Sequence, residues 1–305
     1  MPDILPLERE TEKEPSRLTR NSGLIALLAA MFAWGLLPLY WNLLASEPPI
    51  IILCHRMFWS FVILLPATFL LGRKQEVWNA LRSRKTIGIL LLSGSLLACN
   101  WLLFIWGVLN GMVLETSLGY YINPLLNVCA GIVLFKDTPR RAQWVAIGLA
   151  VSGVACQILM LGYIPWVALG LAGSFTVYGL LRKIVTVESL PGMTLETALL
   201  MLPAASGILW SIMEGHSFLS GEAPIKDLLL IGAGPVTTFP LLWFAHAVRR
   251  VSLVTVGLLQ YIAPTLTLLI GVFVLHEPFG LAHGVSFGFI WAGLALYTAD
   301  ALRRH

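Results

Sequence analysis

Leu118 to Asp137 reads LGYYINPLLNVCAGIVLFKD, and Leu258 to Glu277 reads LLQYIAPTLTLLIGVFVLHE. At a constant offset, Tyr121-Ile122-Asn123-Pro124 falls on Tyr261-Ile262-Ala263-Pro264, Gly131 on Gly271, and Lys136-Asp137 on His276-Glu277. The register runs forward, where Gly148 and Gly153 meet Gly288 and Gly293, and backward, where Phe104 meets Phe244. An ungapped repeat of this length sets the unit of the fold. Each copy is an apolar segment with an internal proline, the pattern of paired, interrupted helices in a membrane bundle.

The rest of the chain fits that setting. It is 57% hydrophobic and 12% charged, whereas a soluble domain carries about a quarter charged residues. The apolar residues come in blocks of about twenty, the length a helix needs to cross the hydrocarbon core. The formal net charge of +4 is not a nucleic-acid signal, because the basic residues sit in short loops where they set topology. The four cysteines, Cys54, Cys99, Cys129 and Cys156, lie inside apolar blocks without metal-ligand spacing and read as packing residues with no disulfide. No metal and no cofactor is expected.

Residues 1–21 form a charged, proline-containing tail without a cleavage pattern, expected to be disordered and cytoplasmic. Ten spans follow, at about 22–44, 49–71, 86–109, 113–135, 142–161, 163–183, 191–213, 227–247, 251–275 and 280–301. The fifth and sixth are separated only by Gly162 to Pro165. With the N-terminus inside, the loops of one side hold Arg73, Lys74, Arg82, Arg84, Lys85, Lys136, Arg140, Arg141, Arg182, Lys183, Arg249 and Arg250, and the other side holds only Lys226. That asymmetry puts both termini in the cytoplasm. Five spans per half is odd, so the halves, 22–161 and 162–302, enter the bilayer from opposite sides as inverted repeats around a central cavity. The first spans of the two halves agree more weakly, Trp34-Gly35-Leu36-Leu37 resembling Tyr178-Gly179-Leu180-Leu181.

Polar residues inside spans cost free energy unless they face protein or water. On the fourth span Tyr120, Asn123 and Asn127 form one stripe with Gly131 beyond; on the ninth Gln260, Thr267 and Gly271 occupy the matching face, and Tyr261 is a further cavity candidate. Pro124 and Pro264 each leave a carbonyl one turn earlier without its helical partner. These stripes face each other across a partly hydrated cavity, or else act as packing glue between helices. His55-Arg56 is the only basic pair deep in a span; it either contacts an anionic group at the cavity mouth or anchors helix ends. Asn100 and Trp101 on the third span and Phe244 on the eighth are further cavity candidates. Glu115, Glu196 and His246 are candidates for proton coupling, or sit at headgroup level without a role. Gly148, Ser152, Gly153, Gly288, Ala292 and Gly293 read as sites of close helix approach.

The five-plus-five arrangement, the Tyr-Ile-x-Pro stretches followed by Gly and then by Lys-Asp or His-Glu, and the Gly-rich spans after them resemble the drug/metabolite transporter superfamily, EamA type. The run His55-Arg56-Met57-Phe58-Trp59-Ser60 and the pair Asn100-Trp101 resemble its RarD branch. The resemblance covers about residues 22 to 302. It implies a multi-pass protein of the bacterial cytoplasmic membrane, with a central path for a small-molecule solute and the lipid bilayer as its surroundings. It further implies a secondary transporter that exports metabolites or drugs by alternating access. The related small multidrug transporters use a glutamate in their first helix, and Ser22 to Leu44 has no acidic residue. An uncoupled facilitator or channel for amino acids or similar solutes therefore stands beside the coupled exporter. A monomer is the expected state.

An intramembrane enzyme would need a nucleophile with its base, paired aspartates or a metal motif at membrane depth. The four aspartates, Asp3, Asp137, Asp227 and Asp300, lie at or beyond span ends, and no H-E-x-x-H occurs. No catalytic site is visible, so the expectation is not an enzyme.

Overall fold

The computed structural model describes residues 17–135, 141–215, 218, 223–248, 250–251, 255–256 and 259–302. In chain order the described helices are α1 (Arg17–Gly35), α2 (Leu37–Asn42), α3 (Pro49–Leu70), α4 (Lys74–Leu81), α5 (Arg84–Leu109), α6 (Val113–Phe135), α7 (Arg141–Leu161), α8 (Trp166–Ile184), α9 (Ser189–Met213), α10 (Pro224–Val248), α11 (Ile262–Phe273) and α12 (Leu281–Leu302). Among the described residues, eight helical segments are long and apolar enough to cross a membrane, α1 and α2 counting as one from Asn21 to Asn42. To these α6 adds 23 residues, and α11 is a shorter apolar helix of 12. At 1.5 Å per residue, the 22 residues of α3 reach about 33 Å, the thickness of the hydrocarbon core.

Local chemistry sets the ends. Pro48 and Pro49 start α3, where a missing N–H costs nothing because the first turn has no intrahelical acceptor for it. Ser83 caps α5 by accepting the Thr86 N–H at 3.3 Å. The break at Gly162 to Pro165 is real: Gly162 has φ 74°, and α8 begins just after Pro165. After α11 the chain reverses at His276, whose φ of 55° is unusual for a residue with a side chain.

Two features depart from the sequence reading. The first span is not one helix: Leu36 separates α1 from α2, because Pro38 has no N–H to continue the ladder. The loop after α3 holds a short helix, α4, whose Val77 and Ala80 pack on Leu90 of α5 and Leu195 of α9. A cluster of basic residues hid its two-residue apolar face.

The halves pack reciprocally. α7 lies against α12, α3 against α9 and α6 against α11, each pair joining equivalent helices of the two repeats. Six further contacts between the halves come in matched sets: α5 with α8 and α10 with α1, α6 with α8 and α11 with α1, α5 with α9 and α10 with α3. That is the pattern of a pseudo-two-fold axis between the repeats. The α7–α12 crossing shows it atom by atom. A Cβ at Gly153 would stand 2.8 Å from the Ser286 carbonyl oxygen, and one at Gly293 would stand 2.9 Å from that of Ala146. Ala146 and Ser286 are themselves related by the repeat offset. Gly148 and Gly288, expected to share this role, are exposed with nothing within 4 Å, and Ser152 is exposed beside Gly148. Hydrophobicity counted the glycines on these helices but could not tell the lipid face from the packed one.

This contact generates a paired prediction. Gly153→Ala and Gly293→Ala each lower stability by about 1–3 kcal/mol, because the obstructing atom is backbone and cannot swing away. Gly148→Ala and Gly288→Ala lose nothing and gain up to about 1 kcal/mol from helix propensity. Melting temperatures of the four purified variants check this; four equal shifts would refute the reciprocal packing.

Candidate functional site

Arg56 lies on α3, about 10 Å inward from the helix start at Pro49. It is 4% exposed. Its guanidinium carbon sits 3.9 Å from the centre of the Trp101 ring on α5 and 5.2 Å from that of Trp41 on α2. The broken first span puts Trp41 there: α2 packs on α5, and Trp41 is fully buried. Met57, Phe104 and Tyr120 belong to the same apolar cluster, and Phe104 and Phe175 meet the Tyr120 ring edge-on at 5.7 and 6.5 Å.

Nothing on the described residues neutralises this cation through hydrogen bonds at Nε or Nη1; both atoms are buried without a partner, as is Trp41 Nε1. Two indole faces return about 2 kcal/mol each when desolvated. Burying the ion costs several kcal/mol, and each unpaired buried donor about 1–3 more. The balance is unfavourable, and Arg56 Nε, Arg56 Nη1 and Trp41 Nε1 are all donors. An anionic group is what such donors lack. One turn further along the same face, Ser60 Oγ is also buried and unpartnered. There α10 closes tightly on α3: a Cβ at Gly234 would meet the Trp59 Cβ and backbone.

The other expected site residues divide between this region and the packing between helices. Tyr120 and Trp101 join Arg56. His55 points elsewhere, accepting the Trp59 Nε1 hydrogen at 3.2 Å on Nδ1 and lying 4.5 Å from the Phe218 ring. Asn100 ties α5 to α8, donating to the Leu171 carbonyl and to Ser174 Oγ at 2.9 Å each, while its Oδ1 is buried without a partner. Asn123 accepts from Thr176 Oγ1 at 3.0 Å, again toward α8. The Asn127 side chain lies outside the described residues.

On α11 Thr267 Oγ1 approaches the Gly35 carbonyl at 3.5 Å, and just before it Tyr261 stacks on Tyr121 at 6.3 Å. Gln260 is exposed, and Phe244 packs on Trp34 at 5.5 Å. The two polar stripes therefore do not face each other. The first turns toward α8 and α5, and Thr267 turns toward α1. Between α6 and α11 themselves the contact is direct: Tyr121 donates to Thr265 at 2.5 Å and Ser117 to the Pro264 carbonyl at 2.8 Å. The two prolines also differ: Pro124 is inside α6, and Pro264 is in the first turn of α11, where no ladder bond is lost.

The acidic residues are held by helix starts. Glu277 accepts the Val113 and Leu114 N–H groups of α6 on its two oxygens, at 2.5 and 2.8 Å. Glu115 accepts the Val167 N–H of α8 at 3.3 Å. Carboxylates at N-termini satisfy orphan donors and the helix dipole together. Glu277 is the repeat counterpart of Asp137, which lies outside the described residues. Glu196 is 1% exposed; it accepts from Ser93 at 2.5 Å and Tyr178 at 3.4 Å, with Arg182 Nη1 at 3.7 Å, an ion pair without a hydrogen bond. His246 is at the end of α10, where its carbonyl accepts from Arg250 at 3.0 Å. Sequence reasoning missed Trp41, Thr176 and Tyr178, whose roles depend on which helices meet. Among the described residues no group of three His, Cys, Asp or Glu could hold a metal.

The EamA-like transporter family matches this sequence twice, over residues 21–159 and 163–299, the two repeats. The uncharacterized transporter YojE of Bacillus subtilis is 46% identical over 287 residues, covering 93% of this chain and 95% of its own. Protein RarD of Escherichia coli is 42% identical over 283 residues, covering 92% of this chain and 95% of its own. A solved crystal structure, 19% identical, covers 93% of this chain and 99% of its own with a TM-score of 0.59, a likeness of fold.

The helix-start contacts give a second prediction. Glu277→Ala leaves two buried N–H groups of α6 without acceptors and lowers stability by about 1–2 kcal/mol. Glu277→Gln, which keeps one acceptor oxygen, loses less. Thermal melting of the two variants orders them; equal melting of both with the parent would show that this cap carries no stability.

Proposed function

The chain belongs to the EamA-like transporter family, and on that footing we propose that it exports small metabolites or drugs across the bacterial cytoplasmic membrane by alternating access. It is a membrane transporter of the EamA and RarD type, with relatives named as transporters and not as enzymes. The reciprocal packing of the two repeats carries the finer reading. Two equivalent halves joined by matched contacts have two ways to rock against each other, related by the pseudo-two-fold axis, and these open a site between them to opposite sides in turn. Arg56, Trp101 and Tyr120 belong to the solute path in this reading, with Asn100 and Asn123 on its α8 side. Glu115 and Glu277 hold helix starts. Glu196, buried beside Arg182 and Tyr178, is the acidic candidate for coupling.

The orientation follows from the basic loops: both termini in the cytoplasm and the segment around Lys226 outside. A single cysteine, Ser220→Cys in a background without the native cysteines, reacts with an impermeant maleimide on intact cells. Labelling only after permeabilisation would reverse the topology.

Transport is tested with solutes whose cellular levels change when the protein is removed. In proteoliposomes the flux of such a solute saturates, and unlabelled solute on the far side accelerates entry of the labelled one. Trans-acceleration is the signature of a carrier that must return its site. A flux linear in concentration and unaffected from the far side would mark a channel and overturn alternating access.

A further inference from the structure

We infer that Arg56 is the charge-recognising group of a buried subsite for a carboxylate, and that the transported solute is a small organic acid bound in its anionic form. The inference rests on the transport reading and adds the solute's chemical class. A guanidinium 4% exposed, with Nε and Nη1 unpartnered, is clamped between the indoles of Trp101 and Trp41. The indole faces lie against the guanidinium carbon and leave the N–H groups as the reactive part. A planar carboxylate meets one edge of the guanidinium, Nη2 with either Nε or Nη1, through two parallel hydrogen bonds. The third unmet donor nearby, Trp41 Nε1, adds to the same demand. Aromatic faces around it, from Trp41, Trp101, Phe104 and Tyr120, suit the apolar body of an organic acid better than a hydrated inorganic ion. Among the described residues no carboxylate forms an ion pair with Arg56.

The test uses the full-length protein in detergent and matched probes: benzoate with benzamide, hexanoate with hexanamide, and phenyl phosphate, all at millimolar concentration. A ligand that binds only the folded protein raises its melting temperature with concentration. Both acids raise the melting temperature of the parent, and their amides do not. Arg56→Gln abolishes the shift, and Arg56→Lys, which keeps charge but not the planar edge, weakens it about tenfold in half-saturating concentration. No acid outperforming its amide, or acids stabilising Arg56→Gln as they do the parent, would overturn the inference. A larger shift with phenyl phosphate than with either acid would overturn the carboxylate class. Should Arg56→Gln fail to fold, Arg56→Lys alone decides: half-saturation equal to the parent's removes the geometric match. The two readings fail separately. Acid binding that depends on Arg56 but no flux in proteoliposomes leaves the subsite and removes transport; saturable flux unchanged in Arg56→Lys, with no preference for acids, leaves transport and removes the subsite.

Discussion

The hydrocarbon core of a bilayer offers no water, so each buried polar group must find its partner within the protein. Here the partners are supplied largely by the other half of the molecule. Glu277 of the second repeat accepts the first N–H groups of α6, and Glu115 of the first accepts from the start of α8. Ser117 donates to the Pro264 carbonyl, Tyr121 to Thr265, and Ser286 to Gln157 at 3.0 Å. The repeats are therefore completed by each other, and each is left with unmet helix ends if they separate. Gly153 and Gly293 do the same for packing, each admitting the partner's backbone.

Arg56 stands against that background. Where Glu277, Glu115, Ser117 and Ser286 are met across the repeats, its Nε and Nη1 have no partner among the described residues. The protein keeps a cation where its environment penalises it, and surrounds it with aromatic faces that steady it without neutralising it. Such a group costs stability in the empty state, and a ligand that completes it recovers that cost. Functional sites are where local rules of satisfaction are broken in this way.

Much of this was legible in the sequence. The repeat is written in Tyr121 and Tyr261, Pro124 and Pro264, Gly153 and Gly293, because equivalent positions meet equivalent constraints. The depth of Arg56 follows from the length of α3, and its importance from the rarity of charge at that depth. What the sequence withheld is which helix faces which. Asn123 and Thr267 lie on polar stripes but turn toward α8 and α1, as their bonds to Thr176 and Gly35 show. Trp41 looks like one more interface tryptophan until Pro38 breaks the first span and α2 carries it onto Arg56. Periodicity reports a face; only packing assigns its neighbour.

The claim that Arg56 is an unmet charge held for a ligand is tested most directly by Arg56→Met, with no ligand present. Methionine keeps an unbranched chain between Trp41 and Trp101 and removes the buried cation. The account predicts a higher melting temperature than the parent, the trade of stability for function run backwards. A melting temperature several degrees lower would mean that the guanidinium holds the fold together, and would contradict it.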